Sequence, residues 1–589
     1  MKDFFKFTLA SIVGVVLAGI IFTVIGIVSL AGMAVSSESE TTVQDNSIFV
    51  LKLNGMLEER SEENPFSQFM GDSYTSLGLD DILSSIQKAK NNDKIKGIFI
   101  KGSAMTSSFA SLEEIRNALV DFKESGKFII SYADQYSQAS YYLSSVSDKI
   151  ILNPQGSIDW KGLAAEITFF KDVLAKLDVE MQVFKVGTYK SAVEPFIGTE
   201  MSPANRQQTS VFLNSIWQKI LTDVSASRHI STDSLNLLAD QIVSLKQANE
   251  LVRCGLADTL LYEDETIQYL KQLTQCEEDD NLATHSLKEM VNVKRNVPKD
   301  KSGNVIAVYY AFGEISHPGV KSPGDKGIDP EEVVKDLRKL QKDESVKAVV
   351  FRVNSPGGSA YGSEQIWHEV VKLKEQKPVI VSMGDYAASG GYYISCAADY
   401  IVADPTTLTG SIGIFGMIPN VSKLLKEKIG LHFDGVKTNQ ASDMFSMSRP
   451  FNEAETAAMQ KYINEGYELF VKRCADGRKM STDAIKKIAE GRVWTGASAK
   501  ELGLVDELGG LDKAIKVAEE RAGVEAYSLL TYPEKKGFFS TLMDTSTDDV
   551  IHSQLKNSLG SYYQHIEFIQ ELEQKDHVQA RIPFALNIN

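Results

Sequence analysis

Two stretches of the chain carry the same order of apolar runs and amphipathic patterns. Residues 96–103 and 347–354 are short, β-rich apolar runs that end in small residues, a pattern typical of buried strands. Apolar residues at helical spacing follow each run: Leu112, Ile115, Leu119 and Phe122 in the first stretch, and Ile366, Val370 and Leu373 in the second. A second apolar run then follows, at 128–131 and at 379–382. The pattern therefore indicates an internal duplication of a strand–helix–strand unit.

The duplication continues beyond these elements. An aspartate and a tyrosine pair recur at the same spacing from the second strand: Asp134, Tyr141 and Tyr142, then Asp385, Tyr392 and Tyr393. The copies also end alike, with Gly-Leu-Ala-Asp at 255–258 and Gly-Leu-Val-Asp at 503–506. Because strands and helices alternate, we expect two tandem α/β domains with mainly parallel sheets. Their expected bounds are 45–290 and 300–535, with a polar linker at 294–303 and a mixed polar and aromatic tail at 536–589.

The N-terminal segment predicts a membrane anchor. No residue between 7 and 37 is charged, and this run exceeds the roughly 20 residues that span a bilayer. Lys2 and Lys6 precede it, so the positive-inside rule leaves the N-terminus in the cytoplasm and exports the rest. Residues 1–40 are therefore expected to form a cytoplasmic N-terminus and a transmembrane helix. A cleaved signal peptide, with a small-residue site at 32–34, is the alternative, although the apolar run is long for one.

Composition removes several classes of function. Hydrophobic residues make up 43% of the chain and charged residues 24%, which is typical of a globular protein. The formal net charge of -16 repels phosphate backbones, so nucleic acid is not an expected partner. The four cysteines and eight histidines form none of the usual metal-binding motifs. We therefore expect neither a metal nor a cofactor, and any hydrolysis must depend on side chains.

Ser389 is the candidate nucleophile. It stands between alanines and glycines directly after the strand at 379–382, and such a strand-to-helix turn can expose a hydroxyl to substrate. The first copy has Gln138 at the same place and lacks the two glycines that follow the serine. Only the second copy therefore carries a nucleophile at this position.

A glycine pair precedes the serine in the second copy. Gly357 and Gly358 end the strand at 347–354, and their backbone N–H groups can point at a developing negative charge, as in an oxyanion hole. An ordinary tight turn is the alternative interpretation of this motif. The corresponding first-copy stretch, 102–105, has lost the paired glycines.

A serine hydroxyl needs a base, and the chain offers two candidates. His368 lies on the helix predicted after the glycine pair, where a surface or interfacial position is the simpler interpretation. Lys190, among small and apolar neighbours in the first copy, can serve if desolvation lowers its pKa. The second copy has Gln440 at about the equivalent place, so each copy lacks what the other has. This complementarity favours one active site divided between two halves.

These motifs resemble the long, duplicated form of the signal peptide peptidase A (protease IV) family, whose serine peptidase domains have the Clp protease/crotonase-like fold. The segments that carry the resemblance are 187–196, 354–359, 384–391 and 409–413. The resemblance implies a Ser389/Lys190 dyad, oxyanion donors near Gly358 and Gly390, and a Ser411 hydroxyl that holds the lysine amine. It also implies a homo-oligomer, a tetramer, in the bacterial inner membrane that degrades released hydrophobic signal peptides on the periplasmic side.

Two other functions remain open at this point. A crotonase-like acyl-CoA enzyme also uses paired backbone amides, although carboxylates are its more usual acids and bases. A non-catalytic scaffold that organises membranes as an oligomer is the second, because a fold alone does not fix function. A membrane anchor would be unusual for the first, and the second is disfavoured because the serine, the lysine and the glycine pair are all present.

Overall fold

The computed structural model describes Gly14, Gly19 and residues 40–61, 77–294, 302–319, 327–535 and 578–582. The predicted anchor at 7–37, apart from those two glycines, and most of the predicted linker and tail lie outside these ranges. Among the described residues, no helix combines the length and the apolar character needed to cross a bilayer. We refer to residues 40–294 as the first half and to residues 302–535 as the second half.

The first half is built on a seven-stranded sheet with the order β2-β1-β3-β4-β5-β7, in which β8 also pairs with β1. Its neighbouring strands run parallel. The strands of this half are β1 (Ser47–Glu58), β2 (Leu77–Gly78), β3 (Ile95–Thr106), β4 (Phe128–Tyr136), β5 (Lys149–Ile158), β6 (Glu180–Lys185), β7 (Thr259–Leu260) and β8 (Thr284–Ser286). β6 lies outside this sheet.

The second half repeats this plan in an eight-stranded sheet with the order β16-β14-β12-β10-β9-β18, to which β13 and β17 add beside β12. The pairs are parallel except for β14 with β16. The strands are β9 (Val305–Phe312), β10 (Val346–Ser355), β11 (Gly357–Ser359), β12 (Val379–Ala388), β13 (Tyr400–Ala403), β14 (Leu408–Gly410), β15 (Phe415–Asn420), β16 (Val493–Thr495), β17 (Glu507–Leu508) and β18 (Ser528–Tyr532). One further strand, β19 (Val578–Arg581), comes from the tail.

Helices connect the strands of both sheets. Those of the first half are Leu79–Lys90, Phe109–Lys123, Gln138–Ser144, Lys171–Lys176, Glu194–Ile197, Pro203–Arg228, Thr232–Ala239, Ala248–Arg253, Glu263–Thr274 and Leu287–Val291, with a 3₁₀ turn at Val243–Leu245. Those of the second half are Pro330–Lys342, Ala360–Lys374, Gly390–Ser395, Glu453–Arg478, Thr482–Ile488, Gly496–Glu501 and Leu511–Ala522, with a π-helical turn at Leu424–Ile429.

The duplication predicted from the sequence is confirmed in the local structure of the two halves. The predicted helix faces are buried, because Leu112, Ile115 and Leu119 are fully covered in one half and Ile366 and Val370 in the other. The longest helix of each half spans 26 residues, begins at a side-chain N-cap and ends at a residue with positive φ. Such matching caps fix the same helix bounds in both copies. The prediction of mainly parallel α/β sheets is also confirmed.

A small third sheet joins the two halves and the tail. Its order is β11-β19-β15-β6, so a first-half strand, two second-half strands and a tail strand lie side by side. β6 pairs antiparallel with β15 along its whole length, from Lys185 opposite Phe415 to Glu180 opposite Asn420. The segment that follows β6 is thereby held against the second half.

A buried ion cluster also connects the halves. Arg352 on β10 is 1% exposed and donates hydrogen bonds of 2.5 Å to both Glu59 and Glu114 of the first half. Desolvation raises the pKa of Glu114, and the neighbouring guanidinium opposes that rise. Because these charges are buried, loss of Arg352 would leave both carboxylates without a counter-charge in the contact between the halves.

Candidate active site

Ser389 lies at the turn between a strand and a helix, as the sequence predicts. β12 ends at Ala388 and the next helix begins at Gly390, so the chain changes direction at one residue. Ser389 adopts φ 55° and ψ -111°, a backbone conformation that side-chain-bearing residues seldom take. Its amide donates a 2.8 Å hydrogen bond to Gly410 O, which fixes the turn. Strain of this kind is found where a fold holds a functional side chain in place.

Lys190 reaches Ser389 from the other half of the chain. It lies on the loop after β6, and the β6–β15 pairing carries that loop across to the second half. Its Nζ lies 2.8 Å from Ser389 Oγ although the two residues are 199 positions apart. The first half thus supplies an amine to a hydroxyl of the second, as the complementary losses predicted.

The environment of Lys190 favours the neutral amine. The side chain is 1% exposed, and its burial lowers the pKa well below the ordinary lysine value of 10.5. Among the described residues, no carboxylate forms an ion pair with it, and its hydrogen-bond partners are hydroxyl and carbonyl oxygens of Ser389 and Ser411. Because no counter-charge opposes this desolvation, the neutral amine with its free lone pair is favoured relative to that of an exposed lysine.

Ser411 also contacts the amine of Lys190. Its Oγ is 3.2 Å from Lys190 Nζ, and its carbonyl oxygen accepts a longer 3.4 Å contact from the same atom. Ser389 Oγ also donates a 3.4 Å bond to Gly413 O, two residues further on. The loop between β14 and β15 therefore contacts both the amine and the hydroxyl.

The glycine pair forms a strand rather than the tight turn that was the alternative interpretation. Gly357 and Gly358 belong to β11, with φ 108° and 149°, and β11 pairs with the tail strand β19. A β-carbon on Gly357 would lie 2.9 Å from Gly390 N. The structure therefore brings the glycine pair, which contains the predicted oxyanion donor Gly358, close to the second predicted donor, Gly390.

Similarity to known peptidases covers most of the chain. The model of peptidase family S49 matches the chain twice, at residues 121–277 and 371–525. The chain belongs to peptidase family S49. It is 38% identical over 531 residues to Protease 4 of Salmonella typhi, covering 87% of this chain and 84% of that protein. It is 30% identical over 543 residues to the chloroplastic serine protease SPPA of Arabidopsis thaliana, covering 92% and 78% of the two chains.

A solved structure, a mutant of ClpP1 from Listeria monocytogenes, aligns with 35% of this S49 chain and 94% of its own, at 18% identity and a TM-score of 0.24. The family match and the full-length relatives support a serine-type peptidase with a tandem duplication.

The other predicted site residues lie elsewhere in the S49 chain. His368 is exposed on the helix Ala360–Lys374, and neither of the described hydrogen-bond partners of Ser389 Oγ is that histidine. In the first half, Gln138 is buried and its amide bridges to Gly162, so this position stabilises a loop. Gln440 lies in an exposed turn. The structure brings one serine and one lysine together, and it leaves the equivalent first-half position without either.

The contacts of Glu490 and Gly491 with the loop that carries Lys190 were not predicted from the sequence. Tyr189 N donates a 3.0 Å hydrogen bond to Glu490 O, directly before Lys190. Gly491, at φ 76°, faces the lysine so closely that a β-carbon there would lie 2.7 Å from Lys190 Cβ. Only glycine fits both that contact and that backbone conformation.

A sequence signal for this contact existed in the repeat. Counting back from the shared endings, Gly-Leu-Ala-Asp and Gly-Leu-Val-Asp, places Val243 opposite Gly491 and Ile242 opposite Glu490. Ile242 and Glu490 have nearly equal positive φ values, 51° and 52°, which confirms that the two loops correspond. The half without an adjacent lysine therefore carries a bulky valine where the other half requires glycine.

Proposed function

We propose that this chain is a membrane-anchored serine endopeptidase in which Ser389 is the nucleophile and Lys190 the general base. The observation that carries the proposal is the 2.8 Å contact between Lys190 Nζ and Ser389 Oγ, in a site where burial lowers the lysine pKa. A neutral amine at that distance accepts the hydroxyl proton as the oxygen attacks a peptide carbonyl.

The reaction proceeds in two steps, acylation of Ser389 and hydrolysis of the resulting ester. Ser389 Oγ forms an ester with the acyl carbon while the C–N bond breaks, and Lys190 returns the proton to the leaving amine. A water molecule then attacks the ester while Lys190 takes a proton from it, and Lys190 gives that proton to Ser389 Oγ as the ester bond breaks and the carboxylate product leaves. Ser411 orients the amine through its 3.2 Å contact, so the lone pair stays directed at the serine.

Backbone amides at Gly358 and Gly390 are the proposed donors to the oxyanion. Positive φ angles in the glycine pair turn amides out of the usual strand direction, and Gly390 begins a helix whose first N–H groups lack intrahelical partners. Fixed donors of this kind stabilise negative charge in the transition state by about 3–4 kcal/mol each.

The proposed substrates are hydrophobic signal peptides after their release into the membrane. β11 and β15 flank a slot that accepts a strand on both sides, so an extended peptide can bind through its main chain. The predicted anchor at 7–37 would hold this slot near the bilayer of the bacterial inner membrane, on the periplasmic side, where such peptides are concentrated.

Hydrolysis of a fluorogenic signal-peptide-like substrate tests the proposal. We expect Ser389→Ala and Lys190→Ala each to lose about 10³-fold or more in kcat, and the double variant to lose little beyond that, because members of one unit fail together. A fluorophosphonate should label wild-type Ser389. An unlabelled, folded chain that never cleaves would favour the scaffold, and specific binding of coenzyme A would favour the crotonase-like enzyme.

We also propose that the chain forms a homo-oligomer, with a tetramer as the expected size. The stretch after Gly430 is the second-half counterpart of β6, since Gly430 and Asp178 both take positive φ directly before it. Unlike β6, it has no strand partner among the described residues, and it exposes Leu431, Phe433 and Val436 by 48%, 53% and 103%. A second copy of the chain could cover it as the second half covers β6.

Light scattering on a size-exclusion column tests this association. Phe433→Asp combined with Val436→Asp should dissociate the oligomer, because charges would replace the apolar contact. Leu245→Asp, at an 84% exposed position of the first half, is the matched control and should leave the mass unchanged. A wild-type chain that is monomeric at all concentrations would contradict the proposal.

A further inference from the structure

Gln208 is a buried amide on the helix that follows the loop carrying Lys190. It lies on the helix Pro203–Arg228 and is 1% exposed. Its Nε2 donates hydrogen bonds of 3.2 Å to Tyr189 O and 3.1 Å to Ser191 Oγ, the residues on either side of the lysine. One amide therefore holds both chain neighbours of the proposed base.

The carbonyl oxygen of the same amide contacts the second half. Val493 N donates a 3.2 Å hydrogen bond to Gln208 Oε1, although the two residues are 285 positions apart. A backbone N–H only donates and the Tyr189 carbonyl only accepts, so these two partners also fix the orientation of the amide. Because the group is buried, each lost bond would leave a polar atom without compensation.

Val493 is connected to the turn at Ser389 through backbone contacts. It begins β16 and lies opposite Gly410 of β14, and Gly410 O accepts the 2.8 Å hydrogen bond from Ser389 N. The preceding residue, Arg492, accepts a 2.7 Å bond at its carbonyl oxygen from Ser411 N. This segment of the second half thus lies beside the backbone of the proposed nucleophile and beside the residue whose hydroxyl contacts the amine.

The second half has no equivalent of this amide. The two longest helices both span 26 residues, after N-caps at Ser202 and Asn452, so Gln208 corresponds to Ala458. Ala458 is exposed. The half that supplies the lysine therefore buries an amide at a position where the other half exposes a methyl group.

We propose that Gln208 is a positioning residue, which keeps Lys190 Nζ at Ser389 Oγ by bonding the loop that carries the lysine to β16. The inference rests on the proposed Ser389/Lys190 function. Among the described hydrogen bonds of Gln208, none involves either reacting atom, so it acts through the lysine. Without this amide the loop would lie less closely against the second half, and the amine would be misaligned and open to water.

Kinetic constants of Gln208→Met test the inference. Methionine has a similar volume but cannot form these hydrogen bonds, so kcat should fall about 10²-fold with little change in KM. Gln138→Met is the matched control, because Gln138 is also 1% exposed and its amide also bonds to three backbone groups, at Lys161 and Gly162. The control should keep kcat within about twofold of wild type.

The pH profile of kcat separates positioning from a general loss of structure. Water that reaches a loosened Lys190 would raise its pKa toward the ordinary lysine value, so the rising limb of Gln208→Met should move to higher pH. In a Lys190→Ala background, Gln208→Met should change the residual rate by less than about twofold, because the amine through which it acts is absent. An unmoved midpoint, or a large further loss in that background, would overturn the inference.

Gln208→Asn covers the case in which the methionine variant does not fold. Its amide is one methylene shorter and cannot reach Tyr189 O and Val493 N together, so kcat should fall about tenfold and the limb should move in the same direction. If wild type is active and Lys190→Ala is not, but the Gln208 variants match the control, only this inference is wrong. If wild type hydrolyses no peptide and Ser389 resists a fluorophosphonate, the proposed function fails with it.

Discussion

The two halves of this chain share a scaffold and differ at a few positions where chemistry takes place. The first half has Gln138 and Val243 where the second has Ser389 and Gly491, and Lys190 is supplied by the first half alone. The sheets and the longest helices nevertheless match closely in order and length. Each copy therefore lacks one member of the proposed Ser389/Lys190 dyad, although the framework around that position is shared.

The two halves also differ in the surroundings of an equivalent cation. Arg352 of the second half is buried against two first-half carboxylates, whereas its counterpart, Lys101, forms an exposed ion pair with Glu263. The halves are thus unequal in electrostatics as well as in catalysis, because only one of these cations lies at the contact between them.

The largest expected effect comes from moving the nucleophile to the other half. The double variant Ser389→Ala, Gln138→Ser should lose peptide hydrolysis by about 10³-fold or more, because the new serine has no glycine pair beside it and the amine of the neighbouring Lys161 is exposed and paired with Asp159. Gln138→Ser alone should keep the wild-type rate. Initial rates with a fluorogenic peptide check both, and recovery of activity in the double variant would show that the halves are interchangeable.

Substitution of Gly491, which contacts Lys190, should have the next largest effect. Gly491→Val, the residue of the other half, forces a side chain against Lys190 and should lower kcat by about 10²-fold with little change in KM. Gly523→Val is the matched control, since its φ is also positive and open space surrounds it. The reciprocal Val243→Gly should cost about 2–3 kcal/mol in stability and leave kcat intact.

The two equivalent cations should differ in their effect on stability. Arg352→Ala leaves Glu59 and Glu114 buried without a counter-charge and should lower the free energy of unfolding by about 3–5 kcal/mol. Lys101→Ala removes an exposed pair and should cost less than about 1 kcal/mol. Urea denaturation measures both values, and equal losses would mean that the interface cluster is solvated.

The smallest expected effect is the contribution of Lys190 to the pH dependence of stability. Its folded pKa is lowered by burial, so unfolding takes up a proton, and the resulting cost is fully present below the folded pKa. That cost falls as pH rises and vanishes above 10.5, the ordinary lysine value. Lys190→Met should therefore stabilise the chain near neutral pH and lose this advantage at alkaline pH. Lys52→Met, at an exposed position, should show no such trend.

Catalysis should depend on the same titration. Activity should rise with pH on a limb whose midpoint lies well below 10.5, because the neutral amine is the proposed base. A pH–rate profile of kcat checks this midpoint. A limb near the ordinary lysine value would contradict the burial of Lys190.

Local patterns in the sequence were sufficient to predict the repeated strands, the buried helix faces and the pairing of Ser389 with Lys190. These features depend on short-range periodicity or on comparison of the two copies. The β6–β15 contact and the tail strand could not be predicted, because each joins segments far apart in the chain. Gly491 is an intermediate case. Alignment of the two copies shows Val243 at the position of Gly491, but the contact of Gly491 with Lys190 depends on the tertiary structure and could not be predicted.

The division of the site between the halves also sets the time at which activity begins. Lys190 is synthesised 199 residues before Ser389, which at ordinary translation rates is a delay of about 10–40 s. Gly491, on which the lysine rests, follows later still. A nascent chain that lacks Ser389 and Gly491 therefore cannot use the proposed dyad, which is complete only when synthesis of the second half is nearly finished.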